Sequence, residues 1–302
     1  VGLSTHSRAP NLNKIQMISA SIGFATGIDG TLLKTTDGGA NWVHIATGVT
    51  QEFTKMCFKD GFTGIALSAT GKLWKITYDS PNWSVTQVST AGTYKDIYFY
   101  NISAGYGYAV GNSGYLAKID MSAAQPVKKL LNSKVIPEDF TAVGCCSTST
   151  TTLYLFTSTT PKCYKVDVTG DNATFSDVTM PATVAVQKVV FNSSTDFAAL
   201  VIITGQWKIQ KGTISGSTIT YTDLSNGVTT YIDMDYDGTL LYGLKNNGTT
   251  DVVYKATGLT TLTLFSSVNL DLTGVNAAYV PFVCGSSGKL LNLNIGIVNT
   301  SA

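Results

Sequence analysis

Three aspartates at alternate positions make up the stretch of the chain best suited to binding a cation. Asp233, Asp235 and Asp237 precede a glycine and match the opening positions of an EF-hand-type calcium loop. The twelfth position, which should supply a bidentate glutamate, is Leu244. The alternation also fits an inner β-strand that enters a hairpin at residues 236–239, because the side chains of a strand alternate between its two faces. We expect the hairpin, and we keep as a hypothesis a Ca²⁺ site built from these carboxylates.

The other residue types that carry catalysis are scarce or scattered. The only histidines are His6 and His44, and no G-x-S-x-G motif accompanies them, so the sequence contains neither a serine triad nor a zinc-ligand set. The only glutamates are Glu52 and Glu138, whereas a glycosidase needs two opposed carboxylic acids in one cleft. The sequence therefore predicts a protein that is not an enzyme and needs no cofactor.

The charge balance argues against a nucleic-acid partner. The 302 residues include 20 basic and 19 acidic side chains, whereas nucleic-acid binding needs a dense basic surface. Only 13% of the residues are charged, against about 25% in a typical protein. Ser, Thr, Asn and Gly take their place, a bias seen in extracellular and virion-surface β proteins. No apolar run reaches the roughly 18 residues of a membrane-spanning helix, so we expect no membrane insertion.

The cysteines are odd in number and lack C-x-x-C spacing. Most of them lie within apolar runs, which favours buried free thiols. A disulfide through Cys163 or through the adjacent pair Cys145 and Cys146 stays open. The full set is Cys57, Cys145, Cys146, Cys163 and Cys284.

A repeat of about 40 to 50 residues, typical of a propeller blade, organises the chain. It is anchored on hairpins such as Gly71–Lys75. The last position of this hairpin recurs at 34, 75, 118, 165, 208, 255 and 292, and it is lysine everywhere except at 292, where asparagine replaces it. Each unit opens with an apolar run typical of an innermost strand. These runs are Ile15–Ile18, Phe53–Phe58, Ile97–Tyr100, Phe140–Cys145, Val186–Phe191, Tyr231–Met234 and Val275–Val280. The sequence predicts an all-β fold, a single seven-bladed β-propeller of four-stranded antiparallel blades.

The predicted propeller occupies residues 1–302 as one domain. Its blades are expected near 14–50, 51–91, 92–135, 136–182, 183–227, 228–269 and 270–302. Either the tail at Ile295–Val298 or the head of the chain could supply the last strand of the final blade. We expect the ring to be closed by the N- and C-terminal segments, with residues 1–13 completing the last blade, because such pairing removes an open sheet edge.

The first unit resembles the Asp-box (BNR) repeat, Ser/Thr-x-Asp-x-Gly-x-Thr-Trp. The matching residues are Thr35, Asp37, Gly39 and Trp42. Together with the preceding run at residues 23–27, this unit is most similar to the photosystem-assembly-factor-like (YCF48-type) subclass. The second unit keeps a shorter copy of the box, with proline in place of glycine, and the likeness weakens after the third unit. The residues of that shorter copy are Thr77, Asp79 and Trp83.

The resemblance implies structural rather than catalytic roles for these residues. The aspartate is expected to hold a tight turn between two outer strands, and the tryptophan to pack between blades. Sialidases share the box, but their site needs three arginines, and Arg8 is the only arginine in this chain. Assembly factors of the subclass are expected to use an arginine-rich face, which this sequence lacks.

We expect a non-catalytic propeller on a virion surface or outside the cell, as a phage capsid or tail decoration or a receptor-engaging protein. The alternatives are an assembly factor for a membrane complex and a secreted carbohydrate-binding module. The expected partners are other proteins of a larger assembly, with surface glycans as a second class. Tyrosines crowd the third unit and suit either kind of contact, although about half of them should lie in the core. They are Tyr94, Tyr98, Tyr100, Tyr106, Tyr108 and Tyr115.

Overall fold

The computed structural model describes residues 11–88, 93–145, 151–245, 251–268, 272–277, 282–285, 290–293 and 296–298. Over these residues the chain is all β, apart from two short 3-10 turns at Ile28–Gly30 and Asn112–Gly114. Strands form along the β-branched and aromatic runs, because such side chains pack well on a pleated surface. Glycines at positive φ, such as Gly71 and Gly105, occupy turns between them.

The strands of each sheet follow the chain from the inside of the molecule outwards. Sheet 1 contains β1 (Leu12–Met17), β2 (Gly23–Gly27), β3 (Leu32–Thr35) and β4 (Val43–His44). Sheet 2 contains β5 (Phe53–Phe58), β6 (Thr63–Ser68), β7 (Leu73–Asp79) and β8 (Asn82–Gln87). Sheet 3 contains β9 (Tyr94–Asn101), β10 (Tyr106–Gly111), β11 (Leu116–Asp120) and β12 (Val127–Lys129). Sheet 4 contains β14 (Phe140–Cys145), β15 (Thr152–Thr157), β16 (Lys162–Thr169) and β17 (Asn172–Val178), with β13 (Leu131–Asn132) added at its outer edge.

The remaining sheets repeat the same antiparallel order. Sheet 5 contains β18 (Val184–Phe191), β19 (Asp196–Ile203), β20 (Gln206–Ser215) and β21 (Thr218–Asp223). Sheet 6 contains β22 (Tyr231–Tyr236), β23 (Leu240–Lys245), β24 (Asp251–Thr257) and β25 (Thr263–Val268). Sheet 7 contains β26 (Leu272–Asn276), β27 (Phe282–Gly285), β28 (Leu290–Asn292) and β29 (Gly296–Val298).

The sheets pack face to face around a ring, with an apolar cluster between each sheet and the next. Between sheets 1 and 2, the rings of Phe24 and Phe58 stack with centroids 3.6 Å apart. Between sheets 7 and 1, buried side chains include Leu12, Ile15 and Phe282. Because a cluster also fills this last junction, the ring is closed.

The structure corrects the predicted fold class in how the ring closes. Sheet 7 takes its described strands from residues 272–298, and β29 pairs with β28 at its outer edge. Leu12 and Asn13 belong to the first sheet, where β1 pairs with β2, so they do not complete the last one. Residues 1–10 lie outside the described part of the chain. Sheet 7 meets β1 through packing and side-chain hydrogen bonds, so the described residues close the ring without exchanging a strand.

A second correction concerns the composition of sheet 4. Its fifth strand, β13, runs parallel to β17, with Leu131 opposite Asn172. Residues 131–132 lie within the stretch predicted for the third unit, yet they pair with the fourth sheet. The chain that leaves sheet 3 therefore covers the outer edge of sheet 4 before it enters β14, which a purely antiparallel four-stranded plan does not allow.

Three of the five cysteines lie in the described core as free thiols. They are Cys57, Cys163 and Cys284, and all three are buried. The side chains of Cys145 and Cys146 lie outside the described part of the chain. In that part, no helix has the length and apolarity needed to cross a membrane.

Candidate functional site

Every innermost strand contains a β-bulge at the same place. In β1, Leu12 and Lys14 pair with consecutive residues of β2, so the chain gains one residue at Asn13. The same shift occurs in the other six inner strands. The residue before each bulge is buried: Leu12, Phe53, Tyr94, Phe140, Val186, Tyr231 and Leu272. A bulge re-aims the side chain that follows it, so the positions after the bulge recur once per sheet.

We call the seven positions after the bulges the axial ring. Three are lysines, two are aspartates and two are small. In chain order they are Lys14, Lys55, Asp96, Ala142, Lys188, Asp233 and Gly274. The lysines and aspartates meet across sheets: Lys55 pairs with Asp96, and both Lys14 and Lys188 pair with Asp233.

Side chains of the inner strands bridge all the junctions of the ring. In several of them, a side chain bonds the backbone of the next inner strand. Asp96 Oδ2 accepts the amide of Val143 at 2.9 Å, and Thr141 donates to the carbonyl of Val186 at 2.8 Å. The other bridges are Asn13 to Phe53, Lys55 to Asp96, Lys188 to Asp233, Asp233 to Val275 and Thr273 to Leu12. These polar contacts satisfy buried groups while fixing the sheets to one another.

Asp233 is the most heavily engaged member of the axial ring. Its carboxylate accepts Lys188 Nζ at 2.7 Å, Lys14 Nζ at 3.3 Å and the amide of Val275 at 3.0 Å. Burial favours the neutral acid, but the two ammonium charges outweigh it and hold the pKa of Asp233 well below its ordinary value. Asp233 is therefore a carboxylate in the folded protein, and its charge is balanced locally.

The two lysines beside Asp233 respond differently to the same burial. Burial favours the neutral amine of Lys14, yet the charges of Asp233 and Asp235 outweigh it and raise the pKa of Lys14. The pKa of Lys188 is lowered, because burial dominates despite the charge of Asp233, and Lys14 repels its proton. The arrangement places paired charges in the interior of the ring.

The aspartates of the hypothetical calcium loop have partners other than a metal. Asp233 holds two ammonium groups, and Asp235 accepts the amide of Ala277 at 2.8 Å. Asp237 lies in the hairpin between β22 and β23, where its Oδ1 accepts two backbone amides of that turn. The backbone at these residues thus forms the hairpin between β22 and β23. Among the described residues, no group of three or more His, Cys, Asp or Glu side chains could hold a metal ion. Calcium binding stays a prediction, to be tested by titration against the melting temperature.

The turn at residues 35–42 is held by side-chain hydrogen bonds. Asp37 Oδ1 accepts the hydroxyl of Thr35 at 2.8 Å and the amide of Asn41 at 2.9 Å, while its Oδ2 accepts Asn41 Nδ2 at 2.7 Å. The bonds from Asn41 and Thr35 lower the pKa of Asp37. Gly39, at φ +90°, donates its amide to Thr35 and receives Trp42 Nε1 at its carbonyl.

The tryptophan of this turn packs across the ring closure. Trp42 meets Phe282 of sheet 7 edge to face, with centroids 6.2 Å apart. A Cβ added at Gly39 would overlap the same Phe282 ring. The turn therefore needs glycine for its backbone angle and for the aromatic contact between sheets 1 and 7.

The corresponding residues of the second unit adopt a different backbone. Thr77 and Asp79 lie in β7, and Trp83 lies in β8. Asp79 pairs directly with Asn82 across a two-residue hairpin that contains the cis Ser80–Pro81 bond. Because this loop is shorter than the turn of sheet 1, the three residues are not brought together as Thr35, Asp37 and Trp42 are.

Exposed aromatic side chains lie at the turns of sheets 2 and 3. Phe62 is 55% exposed and stacks on Tyr78, and the Lys34 ammonium lies 5.1 Å from the Phe62 ring and 5.2 Å from the ring of Trp83. Lys59, in the same turn as Phe62, approaches Gly105 in the turn between β9 and β10. The turns of the two sheets are therefore contiguous.

The tyrosines of the third unit divide between core and surface. Tyr94 and Tyr108 are buried, whereas Tyr106 is 39% exposed and stacks on Tyr100. Ile102, in the adjoining turn, is 45% exposed. We call Phe62, Ile102 and Tyr106 the turn patch. Sequence reasoning indicated the tyrosines but missed Phe62 and Ile102, because a single apolar residue in a turn carries no periodic signal.

Sequence reasoning also missed the axial ring as a set. The signal was present, because the seven positions recur every 41 to 46 residues and each follows a buried residue by two places. Charged residues between apolar ones are ordinarily assigned to the solvent face of a strand. The bulge is what turns them towards the axis.

No protein-family model matches the sequence, and no curated protein matches it. Solved structures do match its fold. The structure of YCF48 bound to D1 peptide has a TM-score of 0.65 at 14% identity and covers 93% of this chain and 92% of its own. YCF48 from Cyanidioschyzon merolae has a TM-score of 0.68 at 16% identity and covers 96% of both chains. The chain thus has a β-propeller fold similar to that of YCF48.

The fold is also similar to that of a protein that is named as an enzyme. The structure of a "putative 6-phosphogluconolactonase" from Bacteroides uniformis has a TM-score of 0.65 at 10% identity and covers 91% of this chain and 92% of its own. At such identities the likeness concerns the fold alone, since one propeller scaffold carries unrelated functions.

Proposed function

We propose that this chain is a non-catalytic propeller that binds a segment of another protein and acts as an assembly factor for a membrane complex. The observation that carries the proposal is its fold likeness, over 93% of the chain, to YCF48 bound to D1 peptide. The polar bridges at every junction support it, because a rigid ring loses little conformational entropy when it holds a peptide.

We further propose that residues 35–42 form an Asp-box turn of the BNR type. The support is the hydrogen bonding of Asp37 to Thr35 and Asn41, together with the packing of Trp42 on Phe282. The box has a structural role in this proposal. The partner is then bound elsewhere on the ring.

The turn patch is the surface that we propose for contact with the partner. Aromatic residues are enriched where proteins meet, and Phe62, Ile102 and Tyr106 present apolar groups on neighbouring turns. With Arg8 as the single arginine, recognition here rests on apolar and aromatic contacts rather than on bidentate ion pairs.

Sedimentation of the native source material, followed by mass spectrometry of each fraction, tests the proposed role. We expect the chain to travel with the precursors of a membrane complex. Co-sedimentation in fixed ratio with a coat protein would contradict the proposal and favour the virion role, which stays a prediction from composition. Recovery only as a free chain of 32.0 kDa would also contradict it, and saturable binding on a glycan array would favour the carbohydrate-binding alternative.

A pair of substitutions tests the proposed surface. Replacing Phe62 and Tyr106 by serine should abolish co-sedimentation with the partner. The melting temperature should fall only modestly, because the variant loses the stacking on Tyr78 and Tyr100 but no fully buried side chain. The matched control is Val43→Ser, which removes a 67% exposed apolar side chain from the outer strand of sheet 1. Loss of co-sedimentation with the control, or its retention with the double variant, would exclude the turn patch as the contact surface.

A further inference from the structure

The junction between sheets 7 and 1 differs from the others in how it is joined. The polypeptide itself runs from each sheet into the next from sheet 1 to sheet 7. Within the described residues, sheets 7 and 1 meet only through non-covalent contacts. They are the apolar cluster around Leu12, Ile15 and Phe282 and the polar contacts of the inner strands. Because no connection among the described residues crosses this junction, we expect local opening to begin there.

The polar contacts at this junction centre on Lys14. Its Nζ donates to the carbonyl of Val275 in sheet 7 and to Asp233 in sheet 6, each at 3.3 Å. Gly274 is the member of the axial ring between them, and a Cβ on it would lie 2.7 Å from the carbonyl oxygen of Asn13. Because that position has no side chain, the backbones approach closely and Lys14 reaches past sheet 7 to sheet 6.

We propose that Lys14 is a latch, whose bonds to Asp233 and Val275 control a reversible opening of the propeller between sheets 1 and 7. The latch joins three sheets with one side chain. Releasing it leaves the bond of Thr273 to the carbonyl of Leu12 as the polar bridge between the inner strands of this junction, while the bridges of the other junctions stay in place. Opening is thus local and precedes global unfolding.

The charges around Lys14 keep the latch engaged over a wide pH range. The groups that face it are Asp233 and Asp235 on β22, Lys188 on β18 and Cys284 on β27. The aspartates raise the pKa of Lys14, so its ammonium persists through neutral and mildly alkaline conditions. Cys284 stays a neutral thiol there, because burial raises its pKa to about 12.

Hydrogen exchange of the full chain, analysed by peptide, tests the latch. In Lys14→Met, which keeps the apolar stem, exchange of β1 and of β26–β27 should be faster by about tenfold or more, since removing one partner of a buried ion pair is costly. Exchange of β14 and β18, which the Thr141 bridge joins on the opposite side of the ring, should not change. The matched control, Lys128→Met, removes an exposed ion pair with Asp171 and should leave all four strands unchanged.

Two further measurements decide the proposal. Lys14→Arg keeps the charge and should exchange more like the original chain than Lys14→Met does. In the original chain at low urea, β1 and β26–β27 should open before the other inner strands, a measurement that does not depend on any variant folding. Uniform acceleration across all sheets in Lys14→Met, or exchange of β1 and β26–β27 only through global unfolding, would overturn the latch.

Discussion

At the scale of single residues, the expectation of a structural turn at residues 35–42 came from the resemblance to the Asp-box repeat. In the structure Thr35 bonds Asp37, and the amide and carbonyl of Gly39 bond Thr35 and Trp42; short side chains in a turn readily reach nearby backbone groups. The copy in the second unit was not predictable in the same way. The second unit is one residue shorter and has Pro81 where glycine is expected, and its chain forms a tight hairpin instead of the turn.

The two units therefore provide a matched pair of substitutions. Asp37→Ala removes the acceptor for two groups of Asn41 and for Thr35, so the melting temperature should fall. Asp79→Ala, at the corresponding place in the hairpin, should have a much smaller effect, because Asp79 is exposed at the end of β7. Thermal unfolding followed by circular dichroism measures both, and equal shifts would contradict the structural role of Asp37.

For the same turn, we expect a substitution of Gly39 to be clearly destabilising. Gly39→Ala forces a side chain into a φ of +90° and against the Phe282 ring. The free energy of unfolding should fall by at least about 1 kcal/mol, the usual cost of alanine at an incompatible φ. The control is Gly258→Ala, where φ is also positive but no atom lies within 4 Å of the added Cβ. Urea denaturation of the two variants separates the cost of backbone strain from the cost of the clash with Phe282. If Gly258→Ala lowers the free energy of unfolding as much as Gly39→Ala does, contact with Phe282 is unimportant.

Cys57 provides a residue-scale test of pH dependence. Burial raises the pKa of the Cys57 thiol to about 12, against about 8.5 in an unfolded chain. A folded pKa above the unfolded one gives stability that is complete below about pH 8.5 and is lost as the pH rises towards 12. In Cys57→Ala the alkaline decline of the free energy of unfolding, measured with urea between pH 8 and 11, should be shallower. An unchanged slope would show that the thiol does not titrate with folding.

At the scale of elements, the inner strands were predictable and their bulges were not. Phe53–Phe58 and Phe140–Cys145 were predicted with their observed bounds, because a short apolar run between turn residues fits a buried strand. A bulge shifts the register by one residue, and apolar patterning does not reveal which residue is extra. The axial ring could therefore be placed only from strand pairing.

Asp233 tests what the axial ring contributes to stability. Asp233→Asn leaves the ammonium groups of Lys14 and Lys188 without their carboxylate, so the free energy of unfolding should fall by about 3–5 kcal/mol, as when one partner of a buried ion pair is removed. Because the pKa of Asp233 is depressed in the fold, its contribution is present above the unfolded pKa of about 4 and is lost as the pH falls through the lower folded value.

The same variant separates charge from packing. The decrease in the free energy of unfolding caused by Asp233→Asn should be largest at pH 7. It should become smaller as the solution is acidified, because the carboxylate of the original chain is then protonated too. Lys128→Met, which removes an exposed pair, should change the free energy of unfolding little at either pH. A loss that is independent of pH would indicate that the substitution acts through shape alone.

At the scale of the whole molecule, repetition gave the propeller but not the way it closes. A period of 37 to 47 residues predicts blades, and apolar clusters between neighbouring sheets follow from that. The sequence offered both ends of the chain as the last strand, and pattern alone could not choose between them. The structure places β29 in that position, and the final junction rests on Phe282 and Lys14.

A closed ring also makes a prediction that separates it from an open stack of repeats. In an open stack each repeat touches only its neighbours, so a chain that loses its last repeat still folds. Here, removing residues 272–302 would expose the buried side chains of two junctions, Leu12 and Ile15 on one side and Tyr242 and Leu244 on the other. Exposed apolar surface of that extent promotes aggregation rather than folding. We expect the shortened chain to show no cooperative transition by calorimetry. The full chain is the control, and a shortened chain that melts as one unit near the same temperature would show that the sheets fold as an open array.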